Sequence, residues 1–68
     1  MRTNKSILIF GTGPLQQSLI ERCKAKGLFT VGIDPNPDAE CRSSLDAFEV
    51  VAPDDFEKTL AVAQKYSV

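Results

Sequence analysis

The residues best suited to chemistry lie between an apolar run and a helix-like segment: Gly11-Thr12-Gly13-Pro14, then Gln16 and Gln17, with Asp34 further along. Two glycines at i and i+2 allow a tight turn and a close backbone approach to another molecule, since neither has a Cβ. Pro14 suits the first position of a helix, whose unpaired N–H groups and positive dipole end would face the turn. A phosphate or carboxylate is the natural guest of such a place. A bare strand-to-helix turn that binds nothing fits the same pattern, and the residues alone leave both readings open.

The neighbouring positions narrow the choice. A GxGxxG dinucleotide fingerprint requires glycine at position 16, where Gln16 stands, and Pro14 removes one N–H donor from the cradle. Asp34 either accepts hydrogen bonds from a ribose diol, as in dinucleotide-binding units, or caps the turn before Pro35 through backbone N–H groups. Asp54 and Asp55 read as capping residues at a helix start. Gln16 and Gln17 can reach a substrate or a neighbouring loop, with Gln17 expected to face solvent.

Other chemistry is scarce. The chain of 68 residues has no histidine and no tryptophan, which excludes Ser-His and Cys-His dyads and histidine metal ligands within it. No catalytic and no metal-binding residue is assigned. Cys23 and Cys41 match neither a CxxC motif nor a disulfide framework and are expected to be reduced thiols. A net charge of −1 without a basic run argues against nucleic acid or an anionic membrane as partner. No run approaches the length of a membrane span and no secretory pattern opens the chain, so the expected location is the cytoplasm.

These residues need elements to hold them. At this length one small domain is expected, burying about 60% of its unfolded surface and only marginally stable. Strand one is predicted over residues 5–10, its four consecutive apolar residues pointing to a strand covered on both faces. A helix runs from Pro14 to about Lys26, with Leu15, Leu19, Ile20 and Cys23 as its core stripe and Gly27 as a left-handed cap. Strand two runs from Phe29 to Ile33 and ends at Asp34, where Pro35-Asn36-Pro37-Asp38 breaks regular structure. The mixed segment from Ala39 to Asp46 leaves room for one short helical turn. Strand three covers Ala47 to Ala52. A last helix begins after Pro53, with Asp54 as N-cap, Glu57 completing a capping box, Phe56, Leu60 and Ala63 as its apolar line, and Val62 and Tyr66 extending that face. Right-handed crossovers give an α/β fold with a three-stranded parallel sheet in the order 3-2-1, a partial Rossmann-like domain over residues 1–68. Strand one then lies at an edge, open to pairing with a second copy in a homodimer.

Taken in order, Ile7-Leu8-Ile9-Phe10-Gly11-Thr12-Gly13-Pro14 with Gln16 or Gln17, Val31-Gly32-Ile33-Asp34-Pro35-Asn36-Pro37-Asp38-Ala39, Phe48-Glu49-Val50-Val51 and Pro53-Asp54-Asp55 resemble the N-terminal domain of ATP-grasp enzymes. That family includes carbamoyl-phosphate synthase large subunits, biotin carboxylases and purine-pathway carboxylate–amine ligases. Leu45-Asp46 departs from the Ala-Asp that many members carry before strand three. The resemblance implies a truncated, non-catalytic piece of a ligase, with ATP and magnesium held mainly by later domains. It also implies that the glycine turn faces the substrate cleft, making Gly11, Thr12, Gly13, Gln16 and Asp34 the substrate-side residues. The implied partners are a small anionic substrate and the remaining ligase domains. A small NAD-binding or nucleotide-binding module with Asp34 as ribose acceptor, and a self-associating assembly module, are the alternative readings.

Overall fold

The computed structural model describes residues 5–68. Three parallel strands, β1 (Ser6–Phe10), β2 (Phe29–Asp34) and β3 (Ala47–Val50), form one open sheet in the order β1-β2-β3. Two helices, α1 (Gln17–Ala25) and α2 (Phe56–Lys65), complete the expected α/β fold. Ser6 aligns with Phe29 and Phe10 with Ile33, while Val31 aligns with Ala47 and Asp34 with Val50. The turn after β1 and the acid ending β2 therefore emerge side by side at the carboxyl end of the sheet. Among the described residues no helix is long and apolar enough to cross a membrane.

Alternation along the strands divides the core between the two faces. Ile9, Ile20 and Cys41 cluster on one face, with Ile7 and Leu45 against them. Val31, Ile33, Val51 and Val62 cluster on the other, with Leu8, Phe29, Ala47 and Tyr66 alongside. The mixed loop does contain a short helical turn, a 3-10 turn at Arg42–Ser44. Gly27 takes the left-handed conformation expected after α1, with φ 79°. Both cysteines are free and buried.

Several boundaries and faces differ from the sequence expectation. The first helix opens with a 3-10 turn at Pro14–Gln16, and regular α-helix begins only at Gln17. The tighter turn takes Leu15 out of the α-helical register, so Leu15 is 95% exposed and Leu19 45% exposed, while Ile20 and Cys23 alone carry the core stripe. Gln17 is only partly exposed, because its amide bonds Ser44 and Glu21. Strand three stops at Val50, since β2 ends opposite it and Pro53 restricts the residue before it. In α2 the expected apolar line faces outward at Phe56 and Leu60. Val62 is buried and Tyr66 half-buried, as expected of the residues extending that face; Tyr66 stacks on Phe29 and donates its hydroxyl to Glu49 at 2.9 Å, fixing the helix rotation.

The N-cap of α2 is Asp55, not Asp54: the Lys58 N–H donates to Asp55 Oδ1 at 3.0 Å. With the cap one residue later, Lys58 holds the third helical position and the Glu57 capping box does not form. Replacing Asp55 with alanine is expected to cost about 1 kcal/mol in a urea titration, whereas the same change at the exposed Asp54 leaves stability within about 0.5 kcal/mol.

Candidate functional site

The site is built where the chain leaves β1. Gly11 adopts φ 78°, a conformation that side-chain-bearing residues rarely take, and its N–H donates to Ile33 O at 2.9 Å. That bond carries the β1–β2 pairing one step past the strand and turns Thr12 inward. Thr12 is completely buried. Its N–H donates to Asp34 Oδ2 at 2.8 Å and its hydroxyl reaches the same oxygen at 3.3 Å. The carboxylate of Asp34 thus closes on the turn itself.

Asp34 also organises the loop after β2. The Asn36 N–H donates to Asp34 Oδ1 at 2.9 Å, and the Asp38 N–H donates to Asn36 Oδ1 at 2.9 Å. Two successive side-chain turns thereby shape the Pro-Asn-Pro-Asp segment. The Thr12 N–H first, and the Asn36 N–H second, hold the Asp34 pKa below its ordinary value despite partial burial. Asp34 is therefore ionised at neutral pH.

The five residues singled out from the sequence converge. Gly11, Thr12 and Gly13 form the turn, Asp34 braces it, and the Gln16 amide lies 3.4 Å from Phe10 O, a long hydrogen bond. Their orientations differ. Thr12 presents no side chain to solvent, and three of the roughly four acceptor positions on Asp34 are occupied from within the chain. Among the described residues, the N–H groups of Gly13 and Leu15 donate to no protein acceptor.

Two further braces have no counterpart in the sequence reading. Cys41 is buried; its N–H donates to Thr12 O at 3.0 Å and its thiol to Gly13 O at 3.1 Å, pinning the turn from the far side. Burial pushes the Cys41 thiol pKa up, helped by Glu40 and Glu21, so it stays protonated and donating. At the opposite end of the sheet, Asp46 Oδ2 accepts from the Thr30 N–H at 2.8 Å and the Thr30 hydroxyl at 3.0 Å. This repeats the Asp34–Thr12 arrangement and ties β3 to β2. Neither brace has a local signature, because each joins residues far apart in the chain.

Beside the turn, on the α2 side of the sheet, the strand ends enclose a cleft of about 310 Å³. Phe10, Ile33, Val51, Pro35 and Pro53 line it, with Asp34 as its only charged residue. Ligands of open parallel sheets bind at this carboxyl end.

No family model and no curated protein matches the sequence. Solved structures do. N5-carboxyaminoimidazole synthetase from Staphylococcus aureus, complexed with ADP, is similar over 97% of this chain, with 26% identity and a TM-score of 0.84. N5-carboxyaminoimidazole ribonucleotide synthetase from Thermotoga maritima is similar over 94%, with 25% identity and a TM-score of 0.81. The chain spans 18% of the length of each. Over nearly its whole length it is similar to the N-terminal part of ATP-grasp ligases, and nothing in the likeness singles out carbamoyl-phosphate synthases among them.

Proposed function

We propose that this chain is the N-terminal, substrate-side domain of an ATP-dependent carboxylate–amine ligase, of the carboxyaminoimidazole ribonucleotide synthetase kind, and has no catalysis of its own. The reading rests on the backbone likeness over 97% of the chain at 26% identity. A carbamoyl-phosphate-synthase-like parent is the nearest alternative. In this role ATP and magnesium are held by other domains, and the turn at Gly11, Thr12, Gly13 and Gln16 forms a wall of the substrate cleft. Asp34 acts there by holding the turn. The free N–H groups of Gly13 and Leu15 take an anionic group of the substrate.

The exposed surface supports the same reading. Phe10, Leu15, Leu19, Phe56 and Leu60 are all exposed. So many large apolar side chains on so small a domain suit a surface that further ligase domains cover. Two unbridged buried cysteines suit a reducing cytoplasm. A nucleotide-binding module is less well supported, because Asp34 already accepts three hydrogen bonds from the chain.

Amide-resolved NMR titration tests the site. Ribose 5-phosphate is expected to bind in the millimolar range and to move the amides of Gly13, Leu15 and Gln16. NAD binding more tightly than ribose 5-phosphate, with shifts at Gly13 and Asp34, would overturn the reading in favour of a dinucleotide module. An absence of saturable shifts at the turn would remove its substrate role.

A further inference from the structure

Among the described residues, β1 has a strand neighbour on one side only. The Phe29 N–H donates to Lys5 O and the Gly11 N–H to Ile33 O, so the odd-numbered residues of β1 turn their backbone groups toward β2. Those of Ser6, Leu8 and Phe10 point away from the sheet, where, among the described residues, Phe10 O alone meets a donor, the Gln16 amide at 3.4 Å. Ser6–Phe10 has no charge, no proline and no bulge, the devices that protect an edge from pairing. At the other edge β3 is shorter and carries Glu49. Both helices turn an apolar flank to the β1 side. In α2, Lys65 and Tyr66 reach Glu49 on β3, so the opposite flank, with Phe56 and Leu60, overlooks β1. In α1, Gln17 and Lys24 reach Ser44 in the turn before β3, which leaves Leu19 on the flank away from it. Phe10, Leu19, Phe56 and Leu60 are between 45% and 82% exposed.

We propose that, in the chain by itself, a second copy occupies this edge, related to the first by a two-fold axis perpendicular to the sheet at Leu8. The occupant must supply a strand together with apolar cover above and below it. A lone peptide strand leaves both helix flanks exposed, and a lone helix leaves the N–H and C=O groups of β1 unpaired. A second copy has all three layers. Antiparallel pairing sets Leu8 opposite Leu8 and Ser6 opposite Phe10, each pair exchanging N–H···O bonds and continuing the sheet through both copies. The rotation keeps each helix layer on its own face. The Phe56 and Leu60 flanks then face each other across the paired β1 strands, and the Leu19 flanks do so on the other face. A net charge of −1 opposes the approach little. The strand edge and its apolar flanks together form a continuous surface of the kind that a standard interface of roughly 800 Å² per partner uses. Further ligase domains lying on this surface would displace the second copy, so the pairing is a property of the chain alone and does not depend on the ligase reading.

Sedimentation equilibrium of the 68-residue chain, from micromolar to millimolar concentration, is expected to show a reversible monomer–dimer equilibrium. In amide hydrogen exchange, Leu8 and Phe10 are expected to gain protection as concentration rises, while Ile7 and Ile9, bonded to β2, are protected throughout. Leu60→Lys, a change at an exposed position, is expected to raise the dissociation constant at least about tenfold with the circular dichroism spectrum unchanged. A chain that stays monomeric at millimolar concentration would overturn the proposal and leave the edge to a strand from another domain. A dimer whose Leu8 and Phe10 amides stay unprotected, or undiminished dimerisation of Leu60→Lys, would overturn it equally. The shift of Gly13 with ribose 5-phosphate is read separately, so failure of the ligase reading and failure of this pairing are told apart.

Discussion

Gly32→Ala is expected to be the most damaging single-methyl change in this chain. Gly32 lies in the middle of β2, facing the α1 side, and a Cβ there would stand 2.3 Å from Leu45 Cδ1 and 2.7 Å from Thr12 Cγ2. Leu45 can swing the end of its side chain aside. Thr12 cannot: it is β-branched, completely buried, and held by Asp34 through both its N–H and its hydroxyl. Relief therefore requires shifting the glycine turn itself. Overpacking of this kind costs about 1–3 kcal/mol, against a gain of about 0.5–1 kcal/mol from replacing a strand glycine. In a marginal small domain the net loss should appear as a clear fall in urea midpoint. Removing the obstructing methyl with Thr12→Ser in the Gly32→Ala background should restore part of the loss, a coupling measurable by a double-mutant cycle. Additive effects of the two changes would contradict the contact as its cause.

Asp34→Ala is the second large expectation. It strips the acceptor from the N–H and hydroxyl of buried Thr12 and from the Asn36 N–H together. An unsatisfied buried donor, added to the loss of charge-assisted bonds, should cost about 2–3 kcal/mol. Asp34→Asn, which keeps one oxygen acceptor, should lose less. The pH dependence carries its own signature. Because folding lowers the Asp34 pKa, its contribution is complete above the unfolded value near pH 4 and is lost as pH falls through the folded value. Urea midpoints of the wild type and Asp34→Ala should therefore lie well apart at neutral pH and converge in acid. A gap that stays constant from neutral pH down to about pH 2 would show that the carboxylate charge does not hold the turn.

These two residues also separate what is legible locally from what is not. Gly32 interrupts a run of strand formers, the kind of glycine that marks a close approach of another part of the chain. The sequence does not name the approaching residues, because Leu45 and Thr12 lie on either side of it at long range. Asp34 is recognisable as an acid ending a strand before a proline. Its capping of Asn36 is a matter of local geometry, two residues away. Its hold on Thr12 comes only from the β1–β2 register, which sets Phe10 beside Ile33 and so brings the turn against the strand end.

Helix faces show the same division. Apolar spacing places both helices, yet in α2 it groups Phe56 and Leu60 with Val62 and Tyr66, whereas the fold buries only the Val62 and Tyr66 side. Apolar residues occupy both sides of that helix, and periodicity alone cannot choose between them. The stacking of Tyr66 on Phe29 and its bond to Glu49 make the choice. Glu49 has its pKa lowered first by the Lys65 ammonium and then by the Tyr66 hydroxyl, so this anchor is charged at neutral pH.

By itself, the sequence determined the order of elements, the parallel sheet with β2 at its centre, and the location of the glycine turn. Each arises from short-range physics: apolar runs, prolines that end strands, and glycines that permit positive φ. Only the tertiary structure decided that Asp34 and Cys41 grip the turn from opposite sides, that Thr12 is buried, and that a cleft opens beside Phe10. Those outcomes depend on contacts between residues distant in the chain, and register and packing, not local pattern, bring such residues together.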